Sequence, residues 1–295
     1  MIDHVPVLAA AALQHLRPEN GGVFVDCTIG LGGHARALLE AGATRIVGLD
    51  RDLQALAAAR ASLAPWAERV ELVHADYRSL DAVLDRCGVA LMDGALADLG
   101  VSSLQLEAAG RGFSFQRDEP LDMRMDTSTG DTAADLIARS SETDLADAIY
   151  AFGEERFSRR IARAIVEARR GDPIVTTGRL ASIVRRAIPR RGHMRIDPAT
   201  RTFQALRIWV NGELEGLDRF LEVAARRLRA GARLVVITFH SLEDRIVKHT
   251  LRALERSHDA AMKVLTKKPI VPSADEVRRN PRARSAKLRA AERLA

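Results

Sequence analysis

For its first hundred residues the chain alternates between short apolar runs and segments of helical periodicity. Residues 5–16 put Val7, Leu8, Ala12, Leu13 and Leu16 on one helical face, and Pro18 with Gly21-Gly22 ends that helix. "GVFVDCTIG" reads as a buried strand and "GGHARALLEAG" as a helix closed by Gly42. "TRIVGLDRD" is the next strand, ending in Asp50, and "LQALAAARASLAPW" is helical up to Pro65. "RVELVHADY" is a third strand, "SLDAVLDRCG" a short helix, and "VALMDGALADLG" holds a fourth strand. This β-α alternation predicts a parallel, doubly wound sheet.

The pattern then changes. Between about residues 105 and 206 no strand pattern occurs, and "TAADLIARS", "ETDLADAIYAFG", "RFSRRIARAIVEARR" and "TGRLASIVRRAI" all carry helical periodicity. Residues 199–230 continue as helix, with breaks expected near Gly212 and Gly216, and the strand "ARLVVITFH" follows at 232–240. The tail from 255 is basic and proline-punctuated, with a last helix expected over "SAKLRAAERL". The expected fold class is therefore α/β. Residues 1–104 and 207–295 form the sheet domain, and 105–206 form an inserted all-helical domain.

Composition narrows the function. An apolar share of 47% suits a folded globular protein, and a net charge of +6 favours an acidic partner, nucleic acid first. Cys27 and Cys87 have no metal-ligand spacing and read as buried thiols of a reducing compartment. The N-terminus carries an acid where a signal peptide is basic, and no apolar run nears the ~18 residues of a membrane span. A cytoplasmic protein without a membrane partner is expected.

The turn after the first strand, "FVDCTIGLGGHARALLEAG", points to a ligand. Gly30-x-Gly32-x-x-Ala35 meets the loose dinucleotide fingerprint, and Asp50 lies 20 residues beyond Gly30, where a carboxylate can accept two ribose hydroxyls. A nicotinamide oxidoreductase fits that far, whereas a P-loop does not, because GxxxxGK[ST] is missing. Three features favour S-adenosylmethionine. Asp26 at the loop entrance would repel a pyrophosphate and attract a cation. Asp76-Tyr77 after the third strand offer a polar group and a ring to an adenine. Asp98 ends the fourth strand, at the crevice where such folds react. Plainer readings stand beside these: Asp26 as a turn cap, Asp50 as a helix N-cap, Tyr77 as a half-buried surface ring.

At "DLGVSSLQLEAAGRGFSFQRDEPLDMRMD" the chain resembles the bacterial RsmH (MraW) family. "TIGLGGH", "GEERFSRRIARAIV", "ATRTFQALRIWVNGEL", "FHSLEDRIVK" and "NPRARSAKLRAAER" agree with it too, so the resemblance spans nearly the whole chain. It implies a class I (Rossmann-like) methyltransferase domain with a helical insertion. The implied activity is S-adenosylmethionine-dependent methylation of the N4 amine of one cytidine in 16S rRNA of the small ribosomal subunit. By the same resemblance, Gly32, Gly33, His34, Asp50, Tyr77, Asp98 and Gln105 bind the cofactor. Two positions depart from the family pattern: "SSLQLE" has Leu104 where relatives have proline, and Ala11 stands where they carry an acid.

The cytosine amine is a poor nucleophile, because its lone pair is conjugated into the ring. An acceptor for its N–H would help, and Asp98 is the candidate, although Asp98-Leu99-Gly100 lacks the prolines and aromatic of the [DNS]-P-P-[YF] segment of many amino-methyltransferases. That gap speaks against a DNA amino-methyltransferase. His240 in "TFHSLEDR" is a second catalytic candidate, with a hydrogen-bonded structural role as its alternative. No metal ligand set is visible. In the insertion, Phe157, Ile161, Ala164, Ile165 and Ala168 form one helix face, and Arg156, Arg159, Arg160 and Arg163 the opposite one. Arg185, Arg186, Arg190, Arg191 and Arg195 form a second cluster. Both are candidates for binding RNA phosphates, against the alternative of a solvated face. A homodimer is compatible with the chain, and so is a non-enzymatic RNA-binding role that keeps a vestigial cofactor site.

Overall fold

The computed structural model describes residues 6–102, 105–106, 108–189, 196–257 and 261–295. The chain divides into two compact units, one of residues 1–100 with 214–295 and the other of 101–213.

The first unit is built on a seven-stranded sheet in the order β3-β2-β1-β4-β5-β7-β6. Its first half contains α1 (Ala9–Leu16), β1 (Val23–Asp26), α2 (Gly33–Glu40), β2 (Arg45–Asp50), α3 (Leu53–Ser62), β3 (Val70–His74), α4 (Leu80–Arg86) and β4 (Met92–Asp98). Strands β1 to β4 run parallel, and β5 joins them parallel to β4. Both sheet faces are covered, so these strands are apolar on both sides rather than alternating. Val25, Ala95 and Ala97 face a core that includes Leu80 and Leu84 of α4, while Phe24 and Leu96 face one that includes Leu16, Leu38 and Leu56 from α1, α2 and α3. Gly94 lets β4 pass the Phe24 ring, since a Cβ there would lie 2.5 Å from Phe24 Cε1.

The second unit holds α5 (Ala133–Arg139), α6 (Glu142–Gly153), α7 (Ser158–Gly171), α8 (Thr177–Ala187) and α9 (Ala199–Asn211). No strand occurs among its described residues. Capping boxes at Thr132–Asp135 and Ser141–Asp144 start α5 and α6. The buried face of α7 is Ser158, Ile161, Ala162 and Ile165. The loop before α5 is pinned to α9: Asn211 donates from Nδ2 to the Met123 carbonyl at 2.7 Å and accepts the Met125 N–H at 2.7 Å. Those bonds hold Met123, fully buried at φ 64°, in the left-handed region. The units meet at residues 100/101 and 213/214 rather than at 104/105 and 206/207. Helix α9 runs through 206 without a break and packs on α6, so it belongs wholly to the second unit.

The chain re-enters the first unit with α10 (Leu217–Arg227), β5 (Leu228–Thr238), α11 (Ser241–Leu254), β6 (Met262–Val264), α12 (Ala274–Arg279) and β7 (Lys287–Arg293). Here one expectation fails. "SAKLRAAERL" is not a helix: residues 287–293 are a strand antiparallel to β5. The segment is rich in helix formers, but its neighbours decide. Leu288 and Ala290 are buried on one face of the sheet, while on the other Ala291 is buried and Arg289 pairs with Asp244 of α11 at 2.7 Å. The Arg289 and Lys287 cations hold the Asp244 carboxyl below its usual range, against the opposing effect of its burial. No helix among the described residues is long and apolar enough to cross a membrane.

Candidate active site

The carboxyl ends of β1, β2, β3 and β4 carry Asp26, Asp50, Asp76-Tyr77 and Asp98. The turn after β1 is shaped by Gly30 and Gly32, both at positive φ, and Gly32 starts α2. At Gly32 (φ 81°) a side chain would be strained and its Cβ would lie 3.0 Å from Leu63. Gly33 passes close under Pro6, which a Cβ there would approach to 3.4 Å.

Asp50 ties this turn to β2. Its Oδ2 accepts the Gly30 N–H at 2.9 Å and its Oδ1 the Asp52 N–H at 2.9 Å. Asp52, not Asp50, caps α3, accepting the Gln54 N–H at 2.9 Å. Burial raises the Asp50 carboxyl above its usual range, and the two backbone bonds offset this only in part.

Asp26, His34 and Asp98 form the electrostatic centre. The Asp26 Oδ1 accepts the Thr28 N–H at 3.2 Å, so the turn-cap reading holds for one oxygen. Three buried atoms here have no hydrogen-bond partner among the described residues: Asp26 Oδ2, His34 Nε2 and Asp98 Oδ1. His34 Nε2 stands 3.6 Å from Asp98 Oδ2, outside direct hydrogen-bond range. Burial pushes the Asp26 carboxyl up to about 7, and the nearby Asp98 and Asp50 charges add to that. For His34, burial opposes the charged form, but the Asp98 and Asp26 carboxylates outweigh it and raise the imidazole above its ordinary value. Thr28, which the sequence did not single out, locks the two strand ends together: its Oγ1 accepts the Asp98 N–H at 2.7 Å.

The remaining residues are placed differently. Asp76 is engaged by Arg78 (2.8 and 2.9 Å) and Arg51 (3.3 Å). Burial works against its ionisation, yet these arginines hold its carboxyl below the usual range. Tyr77 is half-buried, its ring 4.9 Å from that of Phe220. His240 caps α11: its Nδ1 accepts the Glu243 N–H at 3.4 Å, and its Nε2 lies 3.1 Å from Glu243 Oε1. Gln105 belongs to the second unit, buried, with its Oε1 accepting the Ser102 N–H at 2.9 Å. Ala11 lies on α1, and Leu104 is outside the described residues.

In the second unit Arg156, Arg159, Arg160 and Arg163 are exposed on and just before α7. Arg156 lies over the Phe157 ring at 4.6 Å, and Arg163 is 3.6 Å from Glu142. Arg185 is committed to the fold, bonded to Asp197 at 2.8 Å and lying over the Phe115 ring. Arg186 is exposed, while Arg190, Arg191 and Arg195 lie outside the described residues. Arg169, absent from both predicted clusters, binds the Ile137 and Ser140 carbonyls that end α5.

The donor set suits a cationic adenosine ligand. Asp26 Oδ2 and Asp98 Oδ1, at the carboxyl ends of β1 and β4, are buried carboxylate oxygens without a hydrogen-bond partner among the described residues, an arrangement that suits a cationic group better than a phosphate. With this strand order and a glycine turn after β1, fold and site define a class I, S-adenosylmethionine-dependent methyltransferase. The sequence profile of the MraW methylase family matches residues 1–294. "Ribosomal RNA small subunit methyltransferase H" from Cyanothece sp. is 53% identical over 292 residues, covering 99% of this chain and 95% of that protein. Proteins of the same name from Sorangium cellulosum and Geotalea uraniireducens are 52% and 48% identical over 292 and 307 residues. Each match covers 99% of this chain, with 91% and 98% of those proteins. The chain belongs to the MraW methylase family.

Proposed function

We propose that this protein methylates the N4 amine of a cytidine in small-subunit 16S rRNA. The observation that carries the reading is the unpartnered Asp98 Oδ1 at the end of β4, an acceptor held beside two other buried titratable groups. The names of the family relatives support the RNA as substrate.

Bound S-adenosylmethionine supplies an electrophilic methyl group on a sulfonium. Asp50 is suited to the ribose hydroxyls, the Tyr77 ring to an adenine face, and Asp26 Oδ2 to a cationic group of the donor. Gly32 and Gly33 let the backbone approach the ligand closely. Asp98 Oδ1 accepts an N–H of the target amine, which weakens conjugation of the lone pair and gives the proton a destination. The target base must leave its stack to reach this crevice. The second unit is assigned to RNA recognition, with Arg156, Arg159, Arg160, Arg163 and Arg186 on phosphates. Arg185, already paired, serves the fold first. His240, whose Nδ1 caps α11 while its buried Nε2 has no hydrogen-bond partner among the described residues, is a structural group in this reading.

The test is methyl incorporation from labelled S-adenosylmethionine into small subunits lacking the modification, with the product nucleoside identified by mass spectrometry. N4-methylcytidine at one site is expected. Label at a cytosine C5 or a ribose would overturn the role given to Asp98.

A further inference from the structure

His34 is the buried polar side chain of the site that the reading above leaves without a task. Its backbone starts α2 beside the glycine turn, but its ring is buried at the end of the sheet, with Nε2 unpartnered and 3.6 Å from Asp98 Oδ2. A buried imidazole nitrogen without a partner is costly, and one aimed at a carboxylate has an evident one within a small side-chain movement. The two oxygens of Asp98 thus differ: Oδ2 lies 3.6 Å from His34 Nε2, and Oδ1 is buried with no hydrogen-bond partner among the described residues.

We propose that His34 is the positioning residue for Asp98, donating from Nε2 to Oδ2 so that Oδ1 is turned to the target amine. The inference rests on Asp98 being the acceptor of that amine. In the step itself, N4 forms its bond to the methyl carbon while the carbon–sulfur bond breaks and its electron pair goes to sulfur. The proton leaving N4 goes to Asp98 Oδ1 and reaches solvent when product departs. A neutral imidazole keeps the Nε2–H donor and leaves Asp98 basic, whereas an imidazolium keeps the donor but makes Asp98 a poorer proton acceptor. Turnover therefore rises with pH as His34 loses its proton.

Groups on every neighbouring strand bear on this. Asp26 on β1 and Asp98 on β4 both favour the charged imidazole, and Asp50 on β2 acts on Asp26. Asp26, pushed up to about 7 by burial, is the group assigned above to the cation of the donor, so its ionisation enters donor affinity. The profile must accordingly be read as kcat at saturating donor.

Two experiments test the proposal. In the first, kcat is measured against pH for the intact protein and for His34→Ala and His34→Gln. The alanine variant should lose at least about tenfold in kcat, a fraction of the roughly 10²–10⁴-fold that a well-placed proton acceptor contributes, because the acceptor itself remains. Glutamine, which offers an N–H near the Nε2 position but does not titrate, should recover most of that loss and abolish the acid limb. Equal profiles in all three proteins, or glutamine no better than alanine, would overturn it. In the second, the His34 ring is titrated by NMR in the ligand-free protein and in Asp98→Asn. Loss of the carboxylate should lower the His34 pKa, and an unchanged titration would overturn the pairing whatever the RNA substrate proves to be. If the pairing holds while N4-methylcytidine is not formed, the substrate assignment fails instead.

Discussion

Replacing Asp26 by Asn should make the protein more stable at neutral and alkaline pH. The Asp26 carboxyl is fully buried, one of its oxygens has no partner, and its pKa is raised from 3.8 to about 7. That shift costs the ionised form about 4 kcal/mol in the folded protein. The unfolded chain releases this proton near its ordinary value, whereas the folded chain keeps it until about 7. Stability is therefore highest below the unfolded value, falls as pH rises toward 7, and levels off above it. Asparagine keeps an oxygen for the Thr28 N–H and removes the titration. Its amide carries a desolvation cost of about 1–3 kcal/mol that does not depend on pH. The decisive quantity is thus the difference in unfolding free energy between variant and parent, measured in urea across pH. It should grow by about 2–3 kcal/mol from pH 5 to pH 8. Loss of the Asp26 charge also weakens the hold of His34 on its own proton, which acts in the same direction. A difference that stays flat across that range would refute the buried, unpaired state of this carboxylate. A gain in stability with loss of donor binding in the same variant would mark Asp26 as a group kept for function.

Other consequences are as direct. Asp50→Ala removes the acceptor proposed for the ribose and the anchor of the Gly30 N–H, so S-adenosylhomocysteine affinity measured by calorimetry should fall by about two orders of magnitude or more, two charged hydrogen bonds being worth about 3–6 kcal/mol. Gly94→Ala would drive a methyl group into the Phe24 ring, and denaturant unfolding should show a loss of about 1–3 kcal/mol. Arg159→Ala and Arg160→Ala should each lower the salt dependence of RNA binding by about 0.7–0.9 in the slope of log K against log salt without changing the melting temperature. Arg185→Ala should differ from them by reducing thermal stability, because it breaks the bond to Asp197.

The sequence by itself determined the parallel α/β half, the insertion of helices and the four strand ends that carry the site. Those features are local: period, turn glycines and strand-terminal acids are written within about ten residues of one another, and they survive any choice of neighbours. Tertiary structure alone decided the rest. Residues 287–293 have helix-forming side chains, yet β5 offers an open edge and two apolar layers, and pairing there outweighs propensity. The four acids look alike in sequence, but Arg51 and Arg78 occupy Asp76, while Asp26 and Asp98 each keep a buried oxygen without a partner. Arg185 and Arg159 look alike too, and Asp197 separates them. Partnership between side chains distant in sequence depends on where the folded backbone delivers them, and the desolvation that turns a plain aspartate into one titrating near 7 exists only once the core has closed around it.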